Sequence, residues 1–125
     1  MLVKKGDKIL LGETKKLPGL FVVPGGGVDF GETLSETGER EIFEETNISI
    51  KNIKFFKPYE LINERGHRIM ILHTAEYESG EIKAGDDLLS AGFYDKSEIA
   101  KLVQENKIDK GGPVYNMLVD TGYIG

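Results

Sequence analysis

The sequence predicts an α/β (α+β) sandwich, a mixed sheet between helices, on three observations. Short apolar runs bounded by Gly and Pro alternate with amphipathic segments. Two Thr/Asp-x-x-Glu signatures mark helix starts. No repeat, low-complexity tract or long linker divides the 125 residues, and a chain of 13.9 kDa can bury a core without staples, so a single domain over 1–125 with one active site is expected.

The elements follow in order. Lys8–Glu13 (KILLGE) succeeds the turn-like Gly6-Asp7 and reads as a strand, with Val3 in its hairpin partner. Gly12, Pro18 and Gly19 punctuate a loop before Leu20–Val23, a buried-looking strand that Pro24 and the glycines after it stop. Thr33 and Glu36 form a capping box, each side chain satisfying a free backbone amide at the other residue. The helix it opens runs from Leu34 to Thr46, where Asn47 can take the left-handed conformation that ends a helix. Ile48–Phe56 alternates apolar and polar residues, as a half-buried strand does; His67–Tyr77 reads as a strand more fully buried at its centre. The loop Glu78–Asp87 leads to a short strand, Ser90–Asp95. Asp95 and Glu98 make a second capping box before a helix with Ile99, Leu102 and Val103 on one face, and Pro113 and Gly122 frame a last helix, Val114–Thr121.

Composition excludes several classes of function. A net charge of −5 argues against a sequence-independent grip on a nucleic-acid polymer. Without cysteine there is no thiolate metal site, disulfide framework or cysteine nucleophile, and His67 and His73 are too few for a histidine-rich zinc site. The start lacks the pattern of a signal peptide, and no apolar run approaches the roughly 18 residues of a membrane span. A cytoplasmic protein with no membrane partner is expected.

The chemistry concentrates in Arg40–Asn47, REIFEETN. On a helix Glu41, Glu44 and Glu45 share one sector, with Leu34 and Gly38 on the same stripe toward the N-terminus, so the stripe expected to meet the core runs into three carboxylates. A solvated acidic face is one reading. Against it, like charges three and four apart repel, and the last turn carries the negative end of the helix dipole, each unfavourable by about 0.3–1 kcal/mol. Arg40, equally placed for Glu36 and Glu44, is the cation in position to relieve them. A hard divalent cation would make the cluster comfortable; carboxylates select Mg²⁺ or Mn²⁺, which points to phosphoryl or pyrophosphoryl chemistry. The Pro24-Gly25-Gly26-Gly27 stretch could let backbone approach a metal or phosphate, or be a tight turn.

Gly26, Glu32, Arg40, Glu41, Ile42, Glu44, Glu45 and Ile48 stand in one register: five residues separate Gly26 from Glu32, and seven separate Glu32 from Arg40. This resembles the Nudix box, G-x5-E-x7-R-E-U-x-E-E-x-G-U, with Asn47 at the last box glycine. Asn tolerates positive φ next best to glycine, so the change is mild. The resemblance implies a Nudix-like α/β/α sandwich and Mg²⁺- or Mn²⁺-dependent hydrolysis of a nucleoside diphosphate linked to another moiety. The small-molecule nucleotide would be a nucleoside triphosphate, including an oxidised one, or a nucleotide sugar such as ADP-ribose. A nucleotide-sensing module without catalysis is the alternative, and the chain would be a monomer or homodimer.

Carried over by position, the resemblance makes Glu41, Glu44 and Glu45 metal ligands, with the Gly25 carbonyl as a further one. Arg40 would orient a carboxylate, Glu32 would brace the loop against Arg40, and Gly26 would support the site. Attack of a water on phosphorus needs a base, from the box glutamates or from the loop acids Glu81, Asp86 and Asp87. Phe21, Arg65 and Arg68 are candidate substrate contacts; Tyr59, Phe93 and Tyr94 could stack on a base or belong to the core.

Overall fold

A computed structural model describes residues 1–25, 33–64 and 66–125, apart from the side chains of Leu61 and Asn63. The expected roles of Gly26, Glu32 and Arg65 lie outside the described residues. Strands β1 (Leu2–Lys5), β2 (Lys8–Thr14), β3 (Phe21–Val22), β4 (Ser49–Asn63), β5 (Gly66–Ser79) and β6 (Leu88–Tyr94) form a six-stranded sheet. Gly6, at φ 62°, makes the turn between β1 and β2. β2 pairs antiparallel with β1, β3 and β6, while β1 joins β5 in parallel, Leu2 opposite Thr74; that pairing makes the sheet mixed.

Helix α1 (Leu34–Thr46) packs on one face through Ile42, against Val3, Leu10, Ile48, Ile50 and Ala75. Helices α2 (Lys96–Gln104) and α3 (Pro113–Asp120) cover the other through Ile99, Leu102, Met117 and Leu118, over Leu2, Ile9, Leu11 and Leu72. The expected α/β/α sandwich is thus the observed one. Both capping boxes form, and Asn47 ends α1 at φ 65° with its N–H donated to the Phe43 carbonyl.

Two expectations need correction and a third needs an addition. The strand at Leu20–Val23 shrinks to Phe21–Val22 and is half-buried, because β2 offers it partners only at Gly12 and Glu13. β4 runs on to Asn63, well past Phe56, as a hairpin with β5. β5 is buried at its centre as expected, at Leu72 and Ala75, but its first half, Gly66–Ile71, is exposed. The reason is topological, since β1 flanks β5 only from Thr74 to Glu76, leaving the earlier half paired with β4 alone as a projecting arm.

Candidate active site

The α1 capping box fixes the start of the helix, and Ile42, fully buried, fixes its rotation. Residues three and four further on must then face inward too: Glu45 is 4% exposed and Thr46 fully buried, its hydroxyl donated to the Ile42 carbonyl. The inward stripe is therefore Thr37, Ile42, Glu45 and Thr46, not the Leu34 line read from the sequence; Leu34 is 44% exposed. Glu41 lies at the edge of the buried face, and Glu44 turns further out. Arg40 Nη1 bridges these two, donating to Glu41 Oε1 at 2.8 Å and Glu44 Oε2 at 3.1 Å. Glu36, its other expected partner, accepts the Thr33 amide in the cap.

Glu45 is the anomaly. Its Oε2 is buried without a hydrogen-bond partner. Burial, then repulsion from Glu41 and from Asp87, and more weakly from Asp86, pushes its carboxyl up to about 7, although a hydrogen bond with the Gly25 backbone pulls the other way. A carboxylate so placed is costly to ionise until a cation joins it, and that orphaned oxygen is the observation on which a hard divalent ion fits these residues. Among the described residues no three acidic or imidazole groups yet enclose one point. Arg40 occupies the charge-neutralising role for Glu41 and Glu44.

The loop after β5 supplies further acids because it is fastened to the end of α1. The Lys83 amide donates to the Thr46 carbonyl at 2.9 Å, and the Gly85 amide to the Glu45 carbonyl at 2.8 Å, satisfying carbonyls that the helix end leaves free. The next two residues are Asp86, held at φ 47°, and Asp87, both near enough to raise Glu45. Glu81 is at the other end of the loop, its carbonyl accepting from the Asn47 side chain. The structure brings two of the three expected loop acids to Glu45 and leaves the third apart.

Beside Gly25 opens a cavity of about 600 Å³. It lies between α1, where Leu34 and Gly38 line it, and the unpaired edge of β5, with Met117 of α3 closing it below. Arg68 lines it, as expected of a substrate contact. Phe21 does not: it stacks edge-to-face on Tyr94, centroids 5.7 Å apart, against the core. Tyr59 is core as well, its hydroxyl donating to Asp120 at 2.7 Å, and Phe93 pairs with Tyr77. Sequence reasoning missed His73 and Met70 as lining residues. Burial lowers the His73 imidazole below its usual value, so it faces the cavity uncharged at pH 7. No local signal marks either residue; both depend on β1 stopping short along β5.

The end of α1 thus gathers carboxylates beside Gly25 and a half-apolar cavity, a donor set that would suit a hard cation. The NUDIX domain family model matches residues 1–112, and the chain belongs to that family. An ADP-ribose pyrophosphatase from Methanocaldococcus jannaschii is 38% identical over 110 residues, 85% of this chain and 65% of the relative. An NAD-capped RNA hydrolase, NudC, from Yersinia enterocolitica is 38% identical over 96 residues, 74% of this chain and 35% of the relative. The chain thus spans just under two thirds of the first relative and about a third of the second. A bifunctional NMN adenylyltransferase/ADP ribose pyrophosphatase from Francisella tularensis, complexed with AMP and a Mn ion, superposes with a TM-score of 0.69 at 27% identity, covering 96% of this chain and 39% of that one. No helix among the described residues is long and apolar enough to cross a membrane.

Proposed function

We propose that this chain hydrolyses the diphosphate of a nucleoside diphosphate derivative, with Mg²⁺ or Mn²⁺ held by Glu41, Glu44 and Glu45 and the Gly25 carbonyl. The observation that carries the reading is the buried, unpartnered Oε2 of Glu45. A divalent ion bound there would neutralise the diphosphate and make a bound water acidic enough to attack phosphorus.

The chain's own groups do the rest. Arg40 holds the Glu41 and Glu44 carboxylates in one orientation. Asp86 and Asp87, on a loop fixed to the helix end, are the carboxylates placed to take the water's proton, with Asp87 the stronger neighbour of Glu45. The cavity takes the nucleoside half: it is large enough for a base and ribose, apolar along Leu34, Met70 and Met117, and polar at Arg68 and His73. Relatives named for ADP-ribose and for NAD-capped RNA share one chemistry, a diphosphate joining two ribosyl groups, and that class of small substrate is the first choice over a nucleoside triphosphate.

The test is a panel of ADP-ribose, NAD and nucleoside triphosphates with Mg²⁺ or Mn²⁺, read by release of nucleoside monophosphate. ADP-ribose cleavage to AMP is expected, with Glu45→Gln slower by roughly 100-fold or more, the scale of losing an electrostatic group at the transition state. Equal activity of Glu45→Gln would refute the ligand assignment. Tight nucleotide binding without turnover under any divalent ion would instead make the protein a sensing module.

A further inference from the structure

The cavity takes side chains from both faces of β5, and the two sets belong with different helices. Side chains alternate along a strand. Ile69 and Ile71 therefore share the face on which Ala75 packs with Ile42 of α1, whereas Met70 shares the face of Leu72, which packs with Met117 of α3. On the α1 side the slot has Leu34 on the helix and Ile69 and Ile71 on the strand, 44%, 65% and 43% exposed. Large apolar groups so open on two walls of one slot are suited to a flat ring laid between them.

Gly38 sets the width of that slot. It stands seven residues, close to two turns, before Glu45, so it lies on the same stripe of α1, about 10 Å from Glu45 along the axis. A Cβ built at Gly38 would overlap the Met1 methyl and lie 3.8 Å from the Met1 sulfur, so the thioether fills the notch that the missing side chain leaves. The backbone of Met1 is held. Its nitrogen donates to the Pro24 carbonyl at 3.1 Å, and the next residue, Leu2, is fully buried and paired with Thr74. A side chain at position 38 must therefore turn the thioether away from α1, and the space beside both residues is the cavity they line.

We infer that Gly38 is a positioning residue for the nucleoside: by stowing the Met1 thioether against α1, it keeps the slot between Leu34 and Ile71 wide enough for the substrate's base. The inference rests on the reading of the chain as a hydrolase of nucleoside diphosphate derivatives. With the diphosphate at Glu45, two turns of helix toward the N-terminus match the span of a ribose and its base.

The test compares Gly38→Ala with wild type on two probes, AMP, which carries a base, and inorganic pyrophosphate, which does not, each titrated by calorimetry with Mg²⁺ present. AMP is expected to bind the variant about tenfold more weakly, and pyrophosphate equally well. In turnover of ADP-ribose the same tenfold loss is expected in KM, with kcat within about twofold. The melting temperature should not fall, because alanine favours a helix interior over glycine. Equal AMP affinity, an equal loss for pyrophosphate, or an unchanged KM in an active variant overturns the positioning role alone. Weakened AMP binding in a chain that cleaves no diphosphate supports that role and overturns the hydrolase reading. If AMP binds neither protein and ADP-ribose is not cleaved, both fall.

Discussion

Glu45→Gln separates an electrostatic site from an ordinary buried residue through the pH dependence of stability. Without divalent ions, the Glu45 carboxyl titrates near 7 in the folded chain against a usual 4.5. Its folded pKa is raised, so the folded state holds the proton more tightly than the unfolded one. Its favourable contribution is therefore complete below about pH 4.5 and is lost as pH rises through 7. At about 1.4 kcal/mol per unit, the loss between pH 5 and pH 8 is of order 2–3 kcal/mol, or roughly 10 °C in melting temperature for a chain this short. Glutamine cannot ionise, so Glu45→Gln should lack that fall. The amide brings a desolvation cost of its own, about 1–3 kcal/mol, but that cost is the same at both pH values and cancels in the comparison. The assay is thermal unfolding of both proteins in EDTA at pH 5 and pH 8, then at pH 8 with Mg²⁺ added. The Met1 amine, held down to about 6 by burial, titrates in the same window with the opposite sign, so the readout is the difference: relative to the variant, wild type should lose stability from pH 5 to pH 8 and regain it with the ion. Parallel pH profiles for the two proteins would refute the account of Glu45 whatever the enzyme activity.

Three further outcomes follow from the same geometry. Binding of Mn²⁺ at pH 7 should release about half a proton per ion, since Glu45 is then about half protonated, and calorimetry in buffers of different ionisation enthalpy reads this directly. Gly85→Ala would put a Cβ 2.7 Å from the Glu44 carbonyl oxygen, a backbone atom that cannot swing away; a loss of about 1–3 kcal/mol is expected, with the loop displaced and the Glu45 carboxyl titrating lower as Asp86 and Asp87 withdraw, measured by denaturant unfolding and by the pH profile above. Leu118→Ala, at a fully buried position between α3 and the sheet, should cost about 2–5 kcal/mol in urea unfolding with metal affinity retained.

What the sequence disclosed and what it concealed divide by range. The bounds of α1 were legible because every determinant is local: Thr33 and Glu36 close the cap, and Asn47 takes the left-handed turn. Three glutamates spaced three and four apart gave the cluster itself for the same reason. The differences among them were not legible. Which glutamate is buried depends on the rotation set by Ile42 packing on Val3 and Leu10, contacts from distant parts of the chain. The cavity and the arm were hidden for a related reason. An apolar run such as Arg68–Leu72 reads as buried strand, yet its fate is decided by how far β1 runs alongside it.

That dependence ties the site to the sheet. Because β1 reaches β5 only at Thr74, the first half of β5 has one free edge and one uncovered face. The edge faces Gly25 and α1, where Arg68 and His73 line the cavity. The uncovered face carries Ile69 and the Ile62 of its neighbour, and Ile69 lines the cavity as well. Lengthening β1 by even a few paired residues would satisfy the free backbone of β5 and fill the cavity with strand. Where β1 leaves β5 unpaired, room thus opens beside the helix that buries the unpartnered carboxylate oxygen of Glu45.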